Sequence, residues 1–187
     1  FFFRNKGDRT FEDVSNSWVD SKPTFSNGAA YADFDNDGDL DVVINNINDE
    51  ATFLQNRTVE TRGGNFLKLD LVEAGKNTFG IGTRVNLYFK DGTKQTREVT
   101  PTRGFLSAVP NTLYFGLNKN PSVEKMEVIW PDGKVPVLDN VNANQTLSIN
   151  YGSAAERTTE NSSSNNPIFT RIETDIRHID PYFNDYD

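Results

Sequence analysis

From about residue 65 to residue 151 the chain alternates apolar and polar positions with a period of two. Leu67, Leu69 and Leu71 are interleaved with Lys68 and Asp70, and Val85, Leu87 and Phe89 with Asn86, Tyr88 and Lys90. Successive side chains of an extended chain point to opposite faces, so each run predicts a strand with one apolar and one wet face. Further strands are predicted over 93–100, 112–115, 123–130, 135–138 and 146–151. Asp91-Gly92 favours a two-residue hairpin, because both residues accept the positive φ that such turns need, and Pro131-Asp132-Gly133 turns the chain again. No stretch of two or more turns carries a 3.6-residue apolar stripe. Residues 62–151 therefore predict an all-β domain, an antiparallel sandwich or barrel of about seven strands.

The segment before it has shorter apolar runs, at 29–32, 42–46 and 52–55, with an acidic loop between the first two. FFRN at 2–5 is echoed by FLQN at 53–56, an offset near the size of a four-stranded propeller blade. Residues 1–61 thus predict a partial blade: strand, loop, strand, turn, strand. Residues 152–167 hold no Val, Ile, Leu or aromatic side chain and read as a linker. Residues 168–187 regain Phe169, Ile172, Ile176, Ile179, Tyr182 and Phe183 but are too few to enclose a core, and are expected to begin a further, truncated module.

Composition narrows the function. The net charge of -8 repels phosphate backbones and no Lys/Arg cluster offsets it, so nucleic acid is not an expected partner. With no cysteine, a disulfide framework, a thiolate zinc site and a Cys nucleophile are all ruled out. No apolar run reaches the ~20 residues needed to span a bilayer, so no transmembrane segment is expected. The opening residue is Phe1 rather than Met, which predicts the interior of a longer precursor with any signal peptide upstream. His178 is the single histidine and lies in the short tail, where it reads as a solvent-exposed or docking residue rather than a member of a nucleophilic triad.

The chemistry concentrates in DFDNDGDLD, residues 33–41. Asp33, Asp35, Asp37 and Asp41 crowd like charges that resist joint ionisation, and a hard cation relieves them. Calcium suits such a loop, since it takes six to eight oxygens and tolerates irregular geometry. Asp33, Asp35 and Asp37 alternate toward the ion, Gly38 permits the sharp turn, Asp39 offers its carbonyl, and Asp41 closes the loop. Strands flank it, unlike the helices of an EF-hand, and the loop closes with Asp at its ninth position. A plain acidic turn needs no more than one Asp and the Gly. All ligands would come from one short loop, so the ion is expected to be structural.

With these residues in view, FFRNKGDRTFEDVS (2–15) and GAAYADFDNDGDLDVVINN (28–46) resemble the FG-GAP, or VCBS-type, repeat of integrin-like β-propellers. NFLKLDL, NTFGIGTRV, PTRGFLS, LYFGL, VIWPDGK and NANQTLSI, in that order between 65 and 149, resemble the ASPIC/UnbV domain that follows such repeats in secreted bacterial proteins. The resemblance implies export, an extracellular, outer-membrane or cell-surface setting, and the remaining blades of its own propeller as partners. It carries over no defined activity.

Two functional classes follow. The preferred one is a noncatalytic calcium-binding module for adhesion, or for binding a glycan or a cell-surface protein. The other is a component of a carbohydrate-active enzyme, which requires a concave pocket holding two acids about 5 to 9.5 Å apart. Phe79-Gly80-Ile81-Gly82 and Arg103-Gly104-Phe105 either form a shared ligand surface or, as preferred, serve strand ends and bulges while Phe105 packs in the core. Trp130, ending an alternating strand, is expected in the core or at its rim rather than stacked on a sugar. Asn56, Asn144 and Asn161 fit the glycosylation acceptor pattern, which recurs by chance in an Asn-rich chain.

Overall fold

The computed structural model describes residues 1–19, 23–73 and 75–153. The expected linker, the expected further module and His178 lie outside the described residues, save for the linker's first two positions.

Two modules follow one another. The first opens with a two-stranded antiparallel ribbon, β1 (Phe3–Asn5) and β2 (Phe11–Asp13), and a single helical turn, α1 (Ser15–Trp18). A three-stranded antiparallel sheet follows, ordered β3 (Ser26–Ala32), β4 (Asp41–Asn46), β5 (Thr52–Leu54). This is the expected strand, loop, strand, turn, strand. A second short helix, α2 (Thr58–Arg62), leads out and ends on Gly63 in the left-handed conformation, a common helix stop.

The second module is a sandwich of seven strands in two sheets. One sheet is ordered β11 (Val137–Asn142), β10 (Ser122–Ile129), β7 (Arg84–Tyr88), β8 (Lys94–Glu98), and the other β12 (Gln145–Asn150), β6 (Asn65–Val72), β9 (Leu113–Asn118). The Asp91-Gly92 turn joins β7 to β8, with Gly92 at φ 80°. Pro131-Asp132-Gly133 turns where expected, closed by the Gly133 N–H on the Trp130 carbonyl at 2.9 Å. One pairing departs from the antiparallel expectation: β12 runs parallel to β6, from Gln145 opposite Leu67 to Asn150 opposite Val72. Alternation fixes the face a side chain takes, not the direction of the neighbouring strand.

The core lies between these sheets. Leu67, Leu69, Leu71, Val85, Leu87, Phe115, Leu117, Met126 and Val128 are among its buried members, and Trp130 joins them at 2% exposure, edge-on to Tyr151. Each fully buried side chain of this size contributes about 1.5 to 3 kcal/mol. Phe105, expected in this core, is 64% exposed because it rides the tip of a tight hairpin over 101–109.

The first module is built differently. Before residue 63, Val14 is the one buried apolar side chain among the described residues, while Asp33, Asp41 and Asn46 are buried polar ones. Asn46 spans its turn, donating to the Glu50 carbonyl at 2.7 Å and to Thr52 Oγ1 at 2.8 Å and accepting from Ser26 Oγ at 3.1 Å. Large apolar side chains, including Phe25, Phe34, Ile47 and Phe53, stay exposed.

On the faces of β6 and β7 expected to be wet, one residue each is buried. Lys68 is 8% exposed and Asn86 5%. Lys68 is covered because the acidic loop of the first module packs on that side of β6, and its ammonium pairs with Asp33. Asn86 is satisfied within its own sheet, accepting from Thr96 Oγ1 at 2.8 Å.

Candidate metal centre

The acidic loop joins β3 to β4, which pair from Ala32–Asp41 outward, so its two ends are clamped side by side. Within it the carboxylates fold back onto the loop's own amides. Asp33 accepts from the Gly38 N–H at 3.2 Å, Asp35 from Asp37 at 3.4 Å, and Asp37 from Asp39 at 3.0 Å. Asn36 at φ 62° and Gly38 at φ 106° supply the left-handed residues that curl the chain inward. A Cβ on Gly38 would lie 2.2 Å from the Phe66 ring of β6, so the loop sits directly on the sandwich.

The structure brings Asp33, Asp35 and Asp37 together: one carboxylate oxygen from each lies within 4.8 Å of the others. Asp37 also groups with Asp39 and Glu60 at the same spacing. The Asp39 side chain, rather than its carbonyl alone, therefore takes part in the acidic patch, and it accepts the Val59 N–H at 3.0 Å. Asp41 belongs to neither group. It is 1% exposed, and its two oxygens accept the Phe34 and Asn56 N–H groups at 2.9 and 2.8 Å, so it closes the loop by fastening its end to its own beginning and to the exit of the sheet.

Sequence reasoning missed three contributors from outside the loop. Glu60 comes from one-turn helix α2, too short to show a period. Gln55 donates to Asp35 at 2.7 Å. Lys68 reaches across from β6 to Asp33, with its ammonium 5.5 Å from the Phe66 ring centre and 5.6 Å from that of Tyr114. The side chains of Asn56 and Asn144, two of the glycosylation-pattern residues, are used internally: Asn56 donates to the Leu40 carbonyl at 3.3 Å, and Asn144 accepts the Phe66 N–H at 3.1 Å.

The electrostatics match a site short of positive charge. Burial, then the neighbouring acids Asp39, Asp35 and Glu60, pushes the Asp37 carboxyl above its ordinary range despite the Asp39 amide. Burial, then Asp41 and Glu60, does the same to Asp39 against the amides of Val59 and Thr58. Asp35 is held lower, chiefly by the hydrogen bond from Gln55. Asp33 Oδ1, Asp37 Oδ2 and Asp39 Oδ1 are buried with no hydrogen-bond donor. A buried carboxylate oxygen without a donor is costly, and three within one loop, two of them in the Asp33, Asp35 and Asp37 group, fit a hard, oxygen-seeking cation. Asp33 divides its work: Oδ2 meets Lys68 and the Gly38 amide, leaving Oδ1 for an ion.

The alternative of a shared ligand surface of Phe79 and Arg103, not the preferred reading, is not assembled, for the two line different clefts. Three surface clefts hold one acid each, Glu98, Asp39 and Asp70 respectively, so none carries the acid pair that glycoside hydrolysis requires.

Two known families match parts of this chain. Residues 1–44 match the FG-GAP-like repeat and residues 73–156 match the ASPIC and UnbV family. The chain carries an FG-GAP-like repeat followed by an ASPIC and UnbV domain. It is 31% identical over 112 residues to cartilage acidic protein 1 of Xenopus tropicalis, covering 58% of this chain and 16% of that protein. Against cartilage acidic protein 1 of Homo sapiens it is 28% identical over 147 residues, 78% of this chain and 22% of the relative. The Mus musculus protein of the same name is 27% identical over 133 residues, 71% of this chain and 20% of the relative. The chain thus spans about a fifth of the length of these relatives. The FG-GAP-like repeat and the UnbV domain are non-enzymatic module types, typical of extracellular or cell-surface proteins. Among the described residues no helix is long and apolar enough to cross a membrane.

Proposed function

We propose that this chain is a noncatalytic, calcium-binding part of an extracellular or cell-surface protein, serving adhesion through carbohydrate or protein binding. Asp33, Asp35 and Asp37 would hold the ion, with Asp39 and Glu60 enlarging the negative field and Asp41 holding the loop closed. The observation that carries this reading is the grouping of the Asp33, Asp35 and Asp37 carboxylates, in which Asp33 Oδ1 and Asp37 Oδ2 are buried without donors. Calcium would stiffen the loop that presses on β6, and with it the junction between repeat and UnbV domain. The exposed Phe25, Phe34 and Phe53 of the repeat suit the packing of further blades.

Thermal melting tests the reading. Calcium added to chelator-treated protein should raise Tm by about 3 to 6 °C at ten times Kd, since such a ligand adds about 1.4 kcal/mol. Asp37→Ala should abolish the rise. A variant that responds like the wild type would refute the assignment.

A further inference from the structure

The two modules also meet beside the acidic loop, whose Leu40 lines the edge of a second feature. A cleft of about 170 Å³ is lined by Tyr31 of the repeat and by Arg97, Thr100, Arg103, Asn111 and Tyr114 of the sandwich. Its charge runs against the rest of this chain, whose net charge is -8. Its single acid, Glu98, lies 3.8 Å from Arg84, and neither Arg97 nor Arg103 forms an ion pair with a carboxylate among the described residues.

The cleft is built rather than incidental. Arg103 sits on the hairpin over 101–109, tied by the Val109 N–H to the Pro101 carbonyl at 2.8 Å and by its own N–H to the Ser107 carbonyl at 3.1 Å. Ser107 Oγ in turn accepts the Ala29 N–H of β3 at 3.2 Å, which docks the hairpin on the repeat. A Cβ on Gly28 would come within 3.1 Å of the Phe105 carbonyl, so that contact is close along its length. Arg97 lies over the Phe115 ring, 6.0 Å from its centre, an arrangement that leaves guanidinium N–H groups available at the edge. Asn111 Oδ1 is buried with no donor, which is an open request for a hydroxyl or amine.

We propose that this cleft binds the carboxylate-bearing ring of an acidic sugar, a uronic acid at the end of a glycan. The two arginines would take the carboxylate, for which the guanidinium fork is suited. Tyr31 and Tyr114 offer aromatic surface to the ring, and Thr100 and Asn111 offer polar partners to its hydroxyls. The volume lies well below the roughly 300 to 1,000 Å³ of sites for drug-sized ligands, so it suits a single ring. The proposal rests on the reading of the chain as a noncatalytic binding module and does not depend on metal in the acidic loop.

Titration of the full chain, followed by calorimetry and NMR, tests it with D-glucuronate, D-glucose, acetate and an acetylated glutamyl peptide as probes. Saturable glucuronate binding is expected, with each other probe weaker by at least about tenfold. Arg103→Gln should weaken glucuronate by about tenfold or more, and Arg103→Lys, which keeps the charge without the fork, should fall between. No glucuronate binding, with calcium-dependent melting intact, overturns the cleft alone. Glucose binding as tightly as glucuronate, or acetate or the peptide doing so, overturns the acidic-sugar class. Conversion of glucuronate during the titration overturns the noncatalytic reading while leaving the cleft in place.

Discussion

Gly38 concentrates the demands of the loop in one residue. Its φ of 106° lies where L side chains are rarely found, and a Cβ there would stand 2.2 Å from the Phe66 ring. Gly38→Ala therefore meets backbone strain and a collision together, and should cost about 2 kcal/mol or more in urea unfolding of chelator-treated protein. A loss below about 0.5 kcal/mol would mean that the loop does not rest on β6 as described. Much of this was legible in the residues: the Asp-x-Asp-x-Asp-Gly spacing places ligands and turn within one local segment, so no tertiary knowledge was needed. Glu60, Gln55 and Lys68 were not legible, because each reaches the loop from another element. Asp39 was read for its carbonyl, and its side chain enters the patch only because α2 presents the Val59 amide and Glu60 to it.

Strand β6 shows what a periodic pattern can and cannot tell. Its apolar positions Leu67, Leu69 and Leu71 went into the core as the alternation requires. Its other face looked wet because Lys68 and Asp70 are charged, yet a charged position is covered as readily by a complementary module as by water. The parallel pairing with β12 escaped the pattern for a related reason, since period two names a face and never a partner. The Lys68–Asp33 pair makes β6 answerable to the loop. Side-chain exposures of 10% and 0% place it among buried pairs, where removing one partner costs about 3 to 5 kcal/mol. Lys68→Met should lower stability by about 3 kcal/mol in chelator, and calcium should narrow that gap by supplying the missing positive charge. Urea unfolding of both proteins with and without millimolar calcium reads this directly, and a gap indifferent to calcium would count against the shared role of Asp33.

Across the whole molecule, apolar burial is lopsided. The sandwich holds a continuous core, whereas among the described residues the repeat contributes Val14 and otherwise buries carboxylates and an amide. Such a repeat draws its order from strand pairing, from its docking on the sandwich, and from whatever neutralises Asp33, Asp37 and Asp39. The modules meet at the acidic loop and again at the Arg103 hairpin. Ion uptake by the loop is therefore the property on which the order of the repeat depends. Equilibrium dialysis against millimolar calcium should leave one ion bound per wild-type chain, with Kd on the order of 0.1 to 1 mM as in extracellular modules, and none in an Asp33→Asn, Asp37→Asn variant. A wild-type chain that retains no calcium, or a double variant that retains as much, would contradict it.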